Sequence, residues 1–123
     1  MSDSSSSRYR VSNEADVHTI ELTLPLVVDP VEFDRLNDGI GRAVENGADE
    51  RWVLDLSGVQ YVGSALLGLL VNLRQRIKSA GGKLVLCGLS EQVTKALRTC
   101  SLHTLFSVAT NRADAQKTVK TLR

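Results

Sequence analysis

An α/β fold, with a small mixed and mainly parallel β-sheet and helices packed against it, is what this sequence predicts. Two observations carry that expectation. From Val17 the residues alternate, with Ile20, Leu22 and Leu24 on one face and Thr19, Glu21 and Thr23 on the other, the period of a half-buried strand. Beyond Pro30, stretches with apolar residues at helical spacing take turns with short apolar runs bounded by turn residues. Crossovers of that length return parallel strands, each by a right-handed connection.

Each element has its own local cause. Tyr9 to Val11 is predicted as a short strand, and the polar run Ser12–Asp16 as the turn that joins it to the strand from Val17. Pro25 and Pro30 bracket a connection, Leu26 to Asp29. Asp29 followed by Pro30 reads as an N-cap and a first helical residue. The helix after it places Phe33, Leu36, Ile40 and Ala43/Val44 on one side; Gly39 and Gly41 weaken it, and Gly47 stops it. Trp52 to Leu56 is short and mostly apolar, the mark of a central strand covered on both faces. A long helix from about Ala65 to Ala80 carries the stripe Leu66, Leu69, Leu70, Leu73 and Ile77, and Gly81-Gly82 ends it. Lys83 to Cys87 is another apolar strand, and Ser90 caps a helix through Val93, Ala96 and Leu97. Thr104 to Val108 is expected as the last strand. A closing helix from about Asn111 buries Ala115, Val119 and Leu122.

The 123 residues, 42% hydrophobic and 24% charged, suit one domain with a real core, residues 9–123, behind a disordered serine-rich tail, residues 1–8. Fifteen Lys and Arg against 14 Asp and Glu leave a formal charge of +1, which argues against a dedicated nucleic-acid binder. A bilayer span needs about 20 consecutive apolar residues, and here Gly68 and Asn72 interrupt the longest apolar stretches. The start lacks the apolar core of a secretory signal. Cys87 and Cys100 are too few for a disulfide framework and lack metal-ligand spacing. Both follow apolar segments and read as buried structural thiols, in keeping with a cytoplasmic protein.

Catalytic readings find little support. His18 and His103 form no ligand pair, and His18 reads as an end-of-strand histidine. Gly39-Ile40-Gly41 lies inside a helix and has Val44 where a dinucleotide fingerprint needs its third glycine. Asp34, Asp38 and Glu45 read as a solvated helix face, as do Arg74, Arg76 and Lys78. No cofactor is implied. Ser64 stands apart, between the strand ending near Leu56 and the long helix. Its hydroxyl has two readings there, a helix cap or a phosphorylation site, since a helix N-terminus accommodates an anion.

The segment Val53 to Gly68, VLDLSGVQYVGSALLG, resembles the central motif of the STAS family, the anti-sigma factor antagonists of bacterial partner switching. Lys78 to Ser90 is similar to that family's Gly-Gly turn, strand and following helix, and Leu97 to Phe106 resembles its ending, with Leu102 and Phe106 as apolar anchors. The resemblance implies that Ser64 is the phosphoacceptor, with Asp29, Asp55, Ser57, Gly63 and Ala65 as its neighbours. Asp29 matches the family's helix-starting aspartate and Asp55 its strand-end aspartate. Gly63 stands where the family has aspartate, Ala65 where it has a second serine or threonine, and Leu66 where it has a glycine. It implies two partners, an anti-sigma factor kinase of the GHKL type and a PP2C-type phosphatase, with no nucleic acid and no membrane insertion. Asn72, Gln75 and Arg76 recur opposite the leucine stripe and are the expected contact residues. The alternative is a constitutively docking STAS subunit of a signalling assembly or a lipid-transport ATPase complex, in which Ser64 is only a cap.

Overall fold

Strand β1 (Tyr9–Glu14) pairs antiparallel with β2 (Val17–Leu24), and the register runs unbroken from Tyr9↔Leu22 to Glu14↔Val17. The computed structural model describes residues 8–122. Residues 1–7 of the expected tail lie outside that range. Arg8 is tied into the fold, with its carbonyl accepting from the Thr23 N–H at 2.7 Å and its Nε 2.5 Å from Glu32. Only Ala15 and Asp16 form the hairpin turn, with φ of 54° and 66°. Two left-handed residues match the twist of the flanking strands, so pairing continues three residues beyond the expected strand end at Val11.

The remaining elements follow as α1 (Pro30–Glu45), β3 (Arg51–Val59), α2 (Ser64–Ser79), β4 (Lys83–Cys87), α3 (Glu91–Thr99), β5 (Ser107–Ala109) and α4 (Arg112–Thr121). The sheet order is β1-β2-β3-β4-β5, parallel from β2 to β5. This is the mixed, mainly parallel α/β architecture that the alternation of elements implies. The last strand is shorter and later than Thr104 to Val108. His103–Leu105 forms a single 3-10 turn instead, and the Leu105 carbonyl accepts from Arg74 Nε at 2.7 Å. That carbonyl is committed before the chain reaches the sheet.

Two layers of helix cover the sheet. One face carries Ile20, Leu22, Leu24, Trp52, Leu54 and Leu56 in the same core as Phe33, Leu36, Ile40 and Val44 of α1 and the leucine stripe of α2. Burying the five stripe residues contributes about 10 kcal/mol of gross hydrophobic stabilisation, an upper bound set against an extended chain. The other face sets Val17, Val53, Val85 and Cys87 against Ala115 and Val119 of α4. Leu122, expected in that core, is half-buried at its margin. No helix among the described residues is long and apolar enough to cross a membrane.

The two cysteines part company. Cys87 is buried, and burial followed by the nearby Asp55 charge pushes its thiol up to about 11. Cys100, expected to be buried, is exposed. Val93 and Leu97 take the inner face of α3, and the helix ends at Thr99 before Cys100 can share it. His18 is structural. Its ring stacks on Trp52 at 4.5 Å, Nδ1 lies 3.1 Å from Asn13 Nδ2, and Nε2 meets Glu50.

Candidate functional site

The C-terminal ends of the parallel strands share one edge of the sheet, and each strand there hands over to a helix. Three of the four helix starts are closed by a side chain. Asp29 Oδ1 accepts from Val31 N at 2.7 Å, Ser90 Oγ from Val93 N at 3.1 Å, and Asn111 Oδ1 from Asp114 N at 2.9 Å. The α1 and α3 caps stand where the sequence places them.

The α2 start is built differently. Gly63 occupies the cap position in fully extended backbone, φ 178° and ψ 174°, and no side chain caps the helix. Ser64 is therefore the first helical residue rather than the cap, and its side chain is exposed. The capping reading fails for a backbone reason: the residue that turns into the helix is one position earlier. The first turn also holds no acidic residue. The result is an exposed hydroxyl beside unpaired N–H groups at the positive end of a 16-residue helix.

Gly63 lies against the side chain of Tyr61. A Cβ there would lie 2.7 Å from the Tyr61 hydroxyl and 3.0 Å from its ring. Tyr61 in turn packs against Phe33, with ring centroids 5.3 Å apart. A side chain at position 63 would have to shift the Tyr61 hydroxyl end. Ala65 is exposed as the second helical residue.

Next to this helix start the chain presents apolar surface. Leu26 is 70% exposed, Val27 81% and Val31 60%, and Val62 is exposed in the loop that precedes Ser64. The two loops concerned leave adjacent strands β2 and β3 and are joined by a hydrogen bond from Gln60 N–H to the Leu24 carbonyl, 2.8 Å. Solvent-facing apolar groups on these loops and on the first turn of α1 make this a candidate interaction surface. In the sequence Leu26 and Val27 read only as part of a connection. Their signal was an apolar run held between two prolines.

Asp55 plays a different part. β3 runs on to Val59, so Asp55 lies within the strand and not at its end. It is 6% exposed, and its Oδ2 accepts from Arg112 Nε at 3.1 Å and Nη2 at 2.8 Å, while the same Nη2 lies 2.8 Å from Glu21. Oδ1 accepts from the Ser57 N–H at 2.9 Å. That contact braces a one-residue bulge, since β2 pairs Glu21 with Asp55 but Thr23 with Gly58. Burial alone would push the Asp55 carboxyl up. Ser57, through its backbone N–H and side chain, and the Arg112 guanidinium outweigh burial and hold it below its ordinary value. Gly88, with φ 69°, closes over this group, and a Cβ there would come within 2.9 Å of Asp55 Oδ1. Ser57 itself is exposed on the bulge.

Asn72, Gln75 and Arg76 are all exposed, on the α2 face that begins at Ser64. They do not form one cluster. Asn72 and Arg76 flank the seam with α1, where a Cβ at Gly41 would lie 3.2 Å from the Arg76 guanidinium carbon. Gln75 instead reaches Ser79 Oγ at 3.4 Å.

The family model of the STAS domain matches residues 9–115. The chain belongs to the STAS domain family. BtrV of Bordetella bronchiseptica, a candidate anti-sigma factor antagonist, is 30% identical over 95 residues, which cover 77% of this chain and 81% of BtrV. A STAS-domain anti-sigma factor antagonist from Planctomyces limnophilus superposes with a TM-score of 0.80 at 23% identity, covering 92% of this chain and 98% of that one. SpoIIAA in its unphosphorylated form gives 0.71 at 16% identity over 94% and 98% of the two chains. The Bacillus SpoIIAA in its phosphorylated form gives 0.65 at 15% identity over 89% and 98%. At those identities the structural likeness is one of fold. This STAS domain is of the anti-sigma factor antagonist type.

Proposed function

We propose that this STAS domain binds an anti-sigma factor kinase of the GHKL type through the Ser64 edge of the sheet. Phosphorylation of Ser64 by that kinase ends the complex, and a PP2C-type phosphatase restores it. No catalytic residue is needed on this chain, and the setting of such an exchange is the cytoplasm. The observation that carries the reading is the open start of α2, where Ser64 is exposed and its hydroxyl is spared from capping because Gly63 takes that position. The alternative, a constitutively docking subunit in which Ser64 only caps the helix, does not fit a start where Gly63 holds the cap position.

Magnitudes decide what the phosphate does. Within the domain it adds about −1.5 to −2 of charge to a helix N-terminus, an interaction worth roughly 0.3–2 kcal/mol in its favour. Within an interface the same charge, once desolvated without a cation, costs several kcal/mol. The fold tolerates the modification and the complex does not. The Leu26, Val27, Val31 and Val62 surface supplies the apolar part of the contact, and Asn72, Gln75 and Arg76 its polar margin. Asp29 keeps α1 anchored beneath the apolar loop.

The apolar loop gives a direct test. Leu26→Ala combined with Val27→Ala is expected to weaken binding to the anti-sigma factor, measured by calorimetry, by tenfold or more. The thermal midpoint should stay close to wild type, because both side chains are already in water. Undiminished affinity would place the docking surface elsewhere.

A further inference from the structure

The open edge of the sheet at β1 leads to a second interface, independent of Ser64. The Thr23 N–H bonds the Arg8 carbonyl, so Arg8↔Thr23 is a hydrogen-bonded pair in the antiparallel ladder. Alternation then turns the backbone groups of Arg10, Ser12 and Glu14 toward β2, and those of Tyr9, Val11 and Asn13 away from the sheet. Among the described residues no strand pairs with that edge. The opposite edge, β5, is only three residues long. β1 carries neither a proline nor a register shift, and the charged residues that guard it, Arg10 and Glu14, are of opposite sign.

The edge is complementary to itself. We infer that two copies of this chain join β1 to β1 antiparallel about a two-fold axis through Val11, forming one continuous ten-stranded sheet. In that register Tyr9 faces the partner's Asn13, and Val11 the partner's Val11. All three outward N–H groups and all three carbonyls of each copy are satisfied, six bonds in total. Glu14 falls diagonal to the partner's Arg10, so opposite charges meet on both sides of the axis, while Arg8, directly opposite Glu14, is already paired with Glu32 of its own chain. The two Val11 side chains, 39% exposed in one copy, cover each other. An open groove of about 510 Å³ between Tyr9 and the Arg35, Asp38 and Arg42 flank of α1 lies along the same edge.

Sedimentation equilibrium of the full chain tests this, with concentration raised to about 300 µM. Wild type is expected to show a dimer fraction that rises with concentration. Val11→Pro removes one outward N–H at an edge position that tolerates proline and is expected to be monomeric, with unchanged circular dichroism. Glu14→Arg, on an exposed residue whose loss leaves the fold intact, is expected to raise the dissociation constant at least tenfold, and it decides the matter if the proline variant does not fold. A wild type that stays monomeric throughout overturns the proposal. So does a folded Val11→Pro, or a Glu14→Arg, that dimerises as wild type does.

Discussion

Ser64→Glu is expected to lose roughly 30- to 100-fold in affinity for the anti-sigma factor, while Ser64→Ala binds about as well as wild type. The asymmetry follows from what the hydroxyl does in the unmodified protein. It caps nothing, since Gly63 holds the cap position, so its removal costs the fold little. A carboxylate there is welcome to the α2 N-terminus yet becomes an unpaired charge once a partner excludes water. That cost, about 2–3 kcal/mol, sets the fold-change. Calorimetric titration with both variants measures it, and urea denaturation of the free proteins checks that stability has not moved. Equal losses for alanine and glutamate would mean that the hydroxyl itself is a contact and the charge is not the switch.

The largest effect on stability is expected at Arg112. Arg112→Ala should cost about 2–4 kcal/mol at neutral pH, because it strands the Asp55 carboxylate beneath α4. Ser57 continues to donate to Oδ1, which keeps the loss below that of a wholly abandoned charge. The pH dependence has a definite sign. In wild type the folded Asp55 carboxyl lies below its ordinary value of 3.8. Its contribution is therefore complete above that value and is lost as pH falls through the lower, folded one. The gap between wild type and Arg112→Ala is widest near neutrality and narrows in acid. Adding Asp55→Asn to Arg112→Ala should recover part of the loss, since a neutral amide costs less to bury. Denaturant titrations at several pH values provide the check. A constant gap down to strong acid would deny the ion pair its role.

What could be read without coordinates was whatever is local in the chain. Asp29-Pro30 announces a helix start, Ser90 does the same, and the alternation from Val17 to Leu24 gives the face that Ile20, Leu22 and Leu24 bury, though not the burial of Thr19 on the opposite face, which comes from the chain that covers it. Where a choice depends on backbone angles, residue identity misleads. Ser64 has the chemistry of a cap, but the extended Gly63 takes that place, and the hairpin turn closes on Ala15 and Asp16, neither of them a glycine. Where a contact spans the chain, nothing in the sequence brings its ends together. Asp55 and Arg112 lie 57 residues apart and meet only because α4 packs across β3. Thr104 to Val108 looked like a strand by composition, yet Arg74 holds the Leu105 carbonyl before the sheet is reached. The apolar loop at Leu26 and Val27 was visible as residues but not as surface, since exposure belongs to the folded chain.

The most direct measurement is the mass of the intact protein after incubation with its anti-sigma factor kinase and ATP, followed by fragmentation to locate any added phosphate. The expected result is one phosphate on Ser64 in wild type and none in Ser64→Ala. A phosphate on any other residue, or an alanine variant that gains one as readily, would contradict the assignment of Ser64 as the switch.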